Sequence, residues 1–138
     1  MKEKELISTI ESLENYEEVS SALFDLERIS PVKAKELAEK ILREQLGDVY
    51  LQAVAFYVFY SAASSEALVY AKNNFENFPI YVLGAVVEQI TEESGVYEEN
   101  KELQTFVGDL KVFLQSRNKA DMESIKESLD WFYETYGK

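Results

Sequence analysis

Thirteen residues, LQAVAFYVFYSAA at 51–63, carry no charge, no Gly and no Pro. A membrane-spanning helix needs about 20 consecutive apolar residues, and this run falls short of that and holds Gln52 and Ser61. It is also long for one strand, and its flanks are helix punctuation. Gly47-Asp48 stops a preceding helix and supplies an N-cap, while Ser64-Ser65-Glu66 is able to cap the next one. The run therefore predicts a helix over 49–62 that is apolar on almost every side and must be covered by neighbours. Phe56, Tyr57, Phe59 and Tyr60 fit that core, with an exposed contact patch as the alternative and a Tyr hydroxyl edge as the part expected to reach solvent.

The rest of the chain reads as helix after helix. Leu6, Ile7, Ile10 and Leu13 mark one face, and Tyr16, Val19, Leu23 and Leu26 mark another after a break near Glu14-Asn15. Ser30-Pro31 predicts a cap and first-turn proline for a helix over 31–46. A short helix follows at 66–72, ended by Asn73-Asn74, and Pro79 opens IYVLGAVVEQITEE. Gly84 sits inside that apolar helix, where Gly costs roughly 1 kcal/mol relative to Ala. Close approach by a neighbouring helix is the simplest reason for it, and a ligand against the backbone is the other. After a break at Ser94-Gly95, a helix is expected over 98–115, and Asn118-Lys119-Ala120-Asp121 leads as a capping box into a last helix ending near Tyr136. In LDWFYETYGK, Trp131, Phe132, Tyr133 and Tyr136 cannot all share one helical face, so the cluster caps the fold or leaves part of itself as an interface. No segment shows sustained period-two alternation.

VYLQAVAF at 49–56 and IYVLGAVV at 80–87 align at an offset of 31 residues, with Tyr50 matching Tyr81 and Ala53 matching Gly84. Stacked helix pairs produce such repeats, because no pair buries its apolar face alone. The expected fold is all-α: a single all-helical domain over 1–138, built as a short right-handed stack of antiparallel helix pairs, a HEAT-like α-solenoid of about eight helices. The pairs would cover 2–29, 31–62, 65–93 and 98–137. A non-repetitive helical bundle is the alternative.

Charge and missing residue types restrict function. With 14 Lys and Arg against 26 Asp and Glu, the net charge is −12. Nucleic acid and anionic membranes are repelled, so neither is an expected direct partner, whereas a basic protein would be steered in. A charge spread over solvated faces for solubility is the plainer account. There is no His and no Cys, which removes the commonest general base, the thiol nucleophile and the usual zinc ligands. Glu88 with Glu92 and Glu99 with Glu102 are carboxylate pairs at helical spacing, best read as solvated faces. Neither a phosphate loop nor a dinucleotide fingerprint occurs. No catalytic residue, metal or cofactor is expected, and the protein is not expected to be an enzyme. MKEKELISTIESLENYEE is too charged for a signal peptide, so the mature chain is expected to begin at Met1 in the cytoplasm.

The segments DVYLQAVAFYVFYSAASSEAL and NFPIYVLGAVVEQITEES resemble HEAT-like helical-repeat proteins over roughly residues 31–94. Together with the small size and acidity, they look like bacterial immunity proteins that neutralise polymorphic toxins, including those of contact-dependent growth inhibition. That resemblance implies a cytoplasmic protein that binds a cognate basic, nuclease-like toxin domain and occludes its active site. It transfers no binding residue by position. From the second helix of each expected pair, the candidates for an acidic, aromatic binding face are Glu17, Glu18 and Asp25, then Asp48, Tyr50 and Gln52, then Tyr81, Glu88 and Glu92. The aromatics would anchor and the acids would steer. A helical-repeat adaptor joining other cellular proteins through an apolar groove is the alternative function.

Overall fold

The computed structural model describes residues 2–138, which are all-α, with no β-strand among the described residues. The chain divides into two compact units, meeting in sequence at Val69 and Tyr70.

The first unit opens with α1 (Lys2–Ser12) and α2 (Tyr16–Ile29). Between them Leu13 takes a left-handed φ of 52°. Asn15 then caps α2, its Oδ1 accepting from the backbone N–H of Glu17 at 3.1 Å and of Glu18 at 3.2 Å. The next junction is a single residue. Ser30 donates its N–H to the Leu26 carbonyl at 2.7 Å, closing α2, and accepts from the Ala34 N–H at 3.0 Å, opening α3 (Pro31–Glu44). Its hydroxyl makes no capping bond, so the expected side-chain cap is replaced by Pro31 at the first helical position.

The helix expected over 31–46 stops two residues early, because Gln45 already adopts the left-handed conformation at φ 53°. Gly47 follows at φ 72°, and Asp48 caps α4 (Val49–Ala62), its carboxylate accepting from the Leu51 N–H at 2.8 Å. As its composition requires, α4 is buried on most sides: Leu51, Ala55, Phe56, Val58 and Phe59 are almost wholly sequestered. The Leu, Phe and Val side chains among these each contribute about 1.5–3 kcal/mol on burial. Within this unit α4 packs on α2 and α3, and α1 packs on α2. Ala34 and Ala38, one turn apart and fully buried, keep the inner face of α3 thin enough for close packing.

Helix α5 (Ser64–Asn74) is longer than the expected 66–72, and its residues divide between the two units. In the second unit a 3₁₀ turn at Phe75–Asn77 leads to α6 (Ile80–Glu92), and a 3₁₀ run at Glu93–Glu99 leads to α7 (Lys101–Gln115). Asn100 caps α7 through the Leu103 N–H at 3.0 Å. Gln104 secures the 3₁₀ run by donating its amide to the Tyr97 carbonyl at 2.7 Å and to that of Glu98 at 3.1 Å.

The expected last helix is two helices, α8 (Lys119–Met122) and α9 (Lys126–Tyr136), separated by a 3₁₀ turn at Glu123–Ile125. That turn presents Ile125 to Gly84, where an added Cβ would lie 2.7 Å from Ile125 Cγ2. Gly84 is thus a site of close approach, as its place in an apolar helix suggested. The pairing differs from the sequence expectation here: α9 packs most closely on α6 rather than on α7. The reason is local, since the turn at 123–125 turns Ile125 toward α6. Phe75 stands edge-on to Phe106 and Phe113, at 5.4 and 5.2 Å between ring centroids. In the C-terminal cluster Phe132 is fully buried and Trp131 is 41% exposed. Tyr136 donates its hydroxyl to the Ile90 carbonyl at 2.5 Å, and its own carbonyl accepts from Lys111 Nζ at 2.6 Å.

Candidate functional site

The α1–α2 hairpin holds an open cleft of about 480 Å³. Leu6 and Thr9 of α1 form one wall. Glu17, Ser21 and Asp25 recur every four residues along α2 and so form one ridge, with Glu18 and Ala22 on the ridge beside it. Three of the acids expected to bind a partner are therefore gathered on one concave surface. Their local supports are visible. The Asn15 cap fixes the first turn that carries Glu17 and Glu18, where negative charge also suits the positive end of the helix dipole. Asp25 is half-buried and pairs with Arg28 at 3.0 Å. Chemically the cleft offers carboxylates beside a small apolar floor, which suits an ammonium or guanidinium on an aliphatic stem.

The other candidates have different settings. Asp48 is occupied with capping α4, and Tyr50, one residue into that helix's first turn, is 60% exposed. Gln52 is only 7% exposed, and its amide donates to the carbonyls of Leu46 at 3.3 Å and Gly47 at 3.4 Å. Its side chain ties the α3–α4 turn to α4 and does not face a partner. Tyr81, Glu88 and Glu92 share one stripe of α6 in the second unit, at spacings of seven and four residues. Tyr81 is 36% exposed and Glu92 is exposed. Glu88 is half-buried and accepts from Ser128 Oγ of α9 at 2.6 Å. Tyr50 and Tyr81, matched in the repeat, are both surface residues.

A second concavity lies in the second unit along α8 and α9, among residues between Lys119 and Lys138. None of the nine candidates for the acidic, aromatic face falls there, but Tyr133 of the C-terminal aromatic cluster, part of which the sequence offered as an interface, lines it. Its signal was the row Lys126, Asp130, Glu134, spaced by four and carrying both signs of charge beside Leu129 and Tyr133. Among the described residues no group of three or more acidic side chains converges as a metal ion would require, and no helix is long and apolar enough to cross a membrane. Comparison with protein-family models, with curated proteins and with solved structures finds no match to this chain.

Proposed function

We propose that the chain is a non-catalytic, acidic binding protein of the immunity type, which occludes the active site of a cognate basic, nuclease-like toxin domain in the cytoplasm. The observation that supports this reading is the convergence of Glu17, Glu18 and Asp25 on one cleft. Acids so placed compete with the phosphates that a basic active site attracts, and the net charge of −12 adds long-range steering. The test begins with tagged protein used to capture partners from lysate of its own organism, washed at low and high salt. The expected result is one basic protein at near-equal stoichiometry, retained at low salt, whose toxic activity the complex suppresses. The triple variant Glu17→Lys, Glu18→Lys, Asp25→Lys should then weaken binding by about 10- to 100-fold, from exposed ion pairs of about 0.2–1 kcal/mol each plus the repulsion that replaces them. Unchanged affinity sinks the cleft mechanism.

One observation favours a second reading, the adaptor. Phe24, Ile29 and Val32 are exposed apolar side chains of α2 and α3, and apolar side chains that reach the surface serve protein contacts with little salt dependence. Capture of several neutral partners that persist at high salt would select that reading.

A further inference from the structure

Within the second unit, Ile125 crowds Gly84, Ser128 Oγ of α9 donates to Glu88 of α6 at 2.6 Å, and the Tyr136 hydroxyl reaches the Ile90 carbonyl. These three contacts advance in the same direction along both helices, so α6 and α9 run parallel, and the Glu88–Ser128 bond marks one level of the seam between them. One turn further on, each helix carries an exposed residue on the side of that bond. On α6 it is Glu92, four residues after Glu88, and on α9 it is Trp131, three residues after Ser128. A helical side chain leans back over the turn N-terminal to its own Cα. The Trp131 indole therefore covers the turn that holds Glu127 and Ser128, while the Glu92 carboxylate leans toward Glu88. An indole is left at the surface with Glu88 and Glu92 on one flank and the exposed Glu127 on the other.

Trp131 is 41% exposed, and among the described residues no ring or cation lies against it, although Arg117 and Lys138 do lie over the Phe113 and Tyr133 rings. Glu92 and Glu127 likewise form no ion pair among the described residues, whereas the neighbouring Asp130 is held by Lys126 at 2.7 Å. Of the aromatic faces, that of Trp attracts a cation most strongly. Carboxylates at the edge of the ring supply acceptors for the same cation. A guanidinium satisfies both at once, because it is planar: it stacks flat on the indole while its N–H groups point outward to the carboxylates. A compact, strongly hydrated ammonium cannot stack in this way. A net charge of −12 repels an anionic occupant, and a purely apolar one would strip water from three carboxylates without replacing it. We infer that this seam takes an arginine side chain from an exposed basic segment of a protein partner. Trp and Arg are also the side chains that most often carry the energy of protein interfaces. Any protein with an accessible arginine meets the requirement, so the seam does not depend on the partner being a toxin or on the cleft between α1 and α2.

Trp131 is the single tryptophan, so in an isotope-labelled sample one indole N–H resonance reports on the seam. The full chain is titrated with a short blocked peptide of alternating Gly and Arg, then with the Gly and Lys peptide of equal charge. The Arg peptide should move that resonance with a Kd of about 0.1–1 mM, at least about three-fold tighter than the Lys peptide, and should bind more weakly as salt rises. The double variant Glu92→Gln, Glu127→Gln, checked for helicity by circular dichroism, should weaken binding roughly 3- to 10-fold through the loss of two exposed ion pairs. A control, Glu17→Gln with Glu18→Gln, removes as many charges from the first unit and should leave the indole titration unchanged. An indole resonance that the Arg peptide does not move overturns the assignment. So does a Lys peptide that binds as tightly, or a control that loses as much affinity as the seam variant, since either would reduce the effect to non-specific attraction by the net charge.

Discussion

Replacing Gly84 by Ala tests the packing of the second unit, because two opposing effects act on one methyl group. In a helix interior Ala is favoured over Gly by about 0.8–1 kcal/mol. The new Cβ, however, would lie 2.7 Å from Ile125 Cγ2 and 3.4 Å from Ile125 Cβ. Ordinary carbon contacts lie near 3.5–4.0 Å, so Ile125 would have to retreat by roughly 1 Å. Its β-branched side chain is stiff about χ1 and leaves the backbone of the 123–125 turn to move instead. Overpacking of this kind costs about 1–3 kcal/mol. The expected net effect of Gly84→Ala is a loss of about 1 kcal/mol, read in a urea titration. Trp131 is the single tryptophan and lies in the same unit, so its emission follows the transition there. The same substitution should change sign once the obstruction is gone. In an Ile125→Ala background, itself about 2–4 kcal/mol less stable, Gly84→Ala should stabilise by the full helix-propensity gain. The cycle thus predicts a coupling of about 2 kcal/mol between the two positions. Gly84→Ala that stabilises the wild type by about 1 kcal/mol, with no coupling to Ile125, would refute the close approach.

Two further predictions follow from single hydrogen bonds. Burial, with Tyr97 and Glu93 nearby, pushes the Tyr136 phenol up to about 12 from its ordinary 10.0. The folded chain therefore holds this proton after the unfolded chain has released it. The stabilisation is complete below pH 10 and is lost as pH rises toward 12, by no more than about 1–2 kcal/mol after solvent screening. Tyr136→Phe should cost about 0.5–1.5 kcal/mol at neutral pH and flatten that alkaline loss, which urea titrations between pH 8.5 and roughly 11 would show; an unchanged alkaline slope would assign the loss to other groups. Asp48→Ala removes the α4 cap and should cost about 0.5–2 kcal/mol, lowering the thermal midpoint by a few degrees. Asp48→Asn should recover most of it, because Asn caps comparably, and failure of that rescue would mean that the carboxylate charge matters more than the cap.

The parts of this fold that were legible in the sequence are those set by near neighbours. The α4 helix declared itself because an uncharged run of that length is short for a membrane span and long for one strand, and its flanks are helix caps. Asp48 and Pro31 could be placed because capping and first-turn proline depend on residues within one turn. Gly84 announced a close approach through its own cost. What was not legible depends on contacts far apart in sequence. Nothing in Glu123-Ser124-Ile125 disfavours a continuous helix, and the break there is tied to Gly84, some forty residues earlier. The same limit applied to the candidate site. Glu17, Glu18 and Asp25 could be grouped because α2 has one clear apolar face and therefore a known outer side. Gln52 could not be oriented, since a helix apolar on all sides gives no indication of which way a lone amide points. It points inward, to the carbonyls of the turn before it.

Ser30 makes the joint between α2 and α3 one residue long, and this sets where the chain can tolerate a change in length. One inserted residue would rotate α3 by about 100° about its own axis, swinging Ala34 and Ala38 out of the core and bringing Lys33 and the bulkier Leu37 into their places. The seven-residue 3₁₀ run at Glu93–Glu99 has no buried side chain and can absorb an extra residue at its surface. Length variants should therefore survive at the second joint and be lost at the first, so that the distance between α2 and α3 is as constrained as any residue in the core.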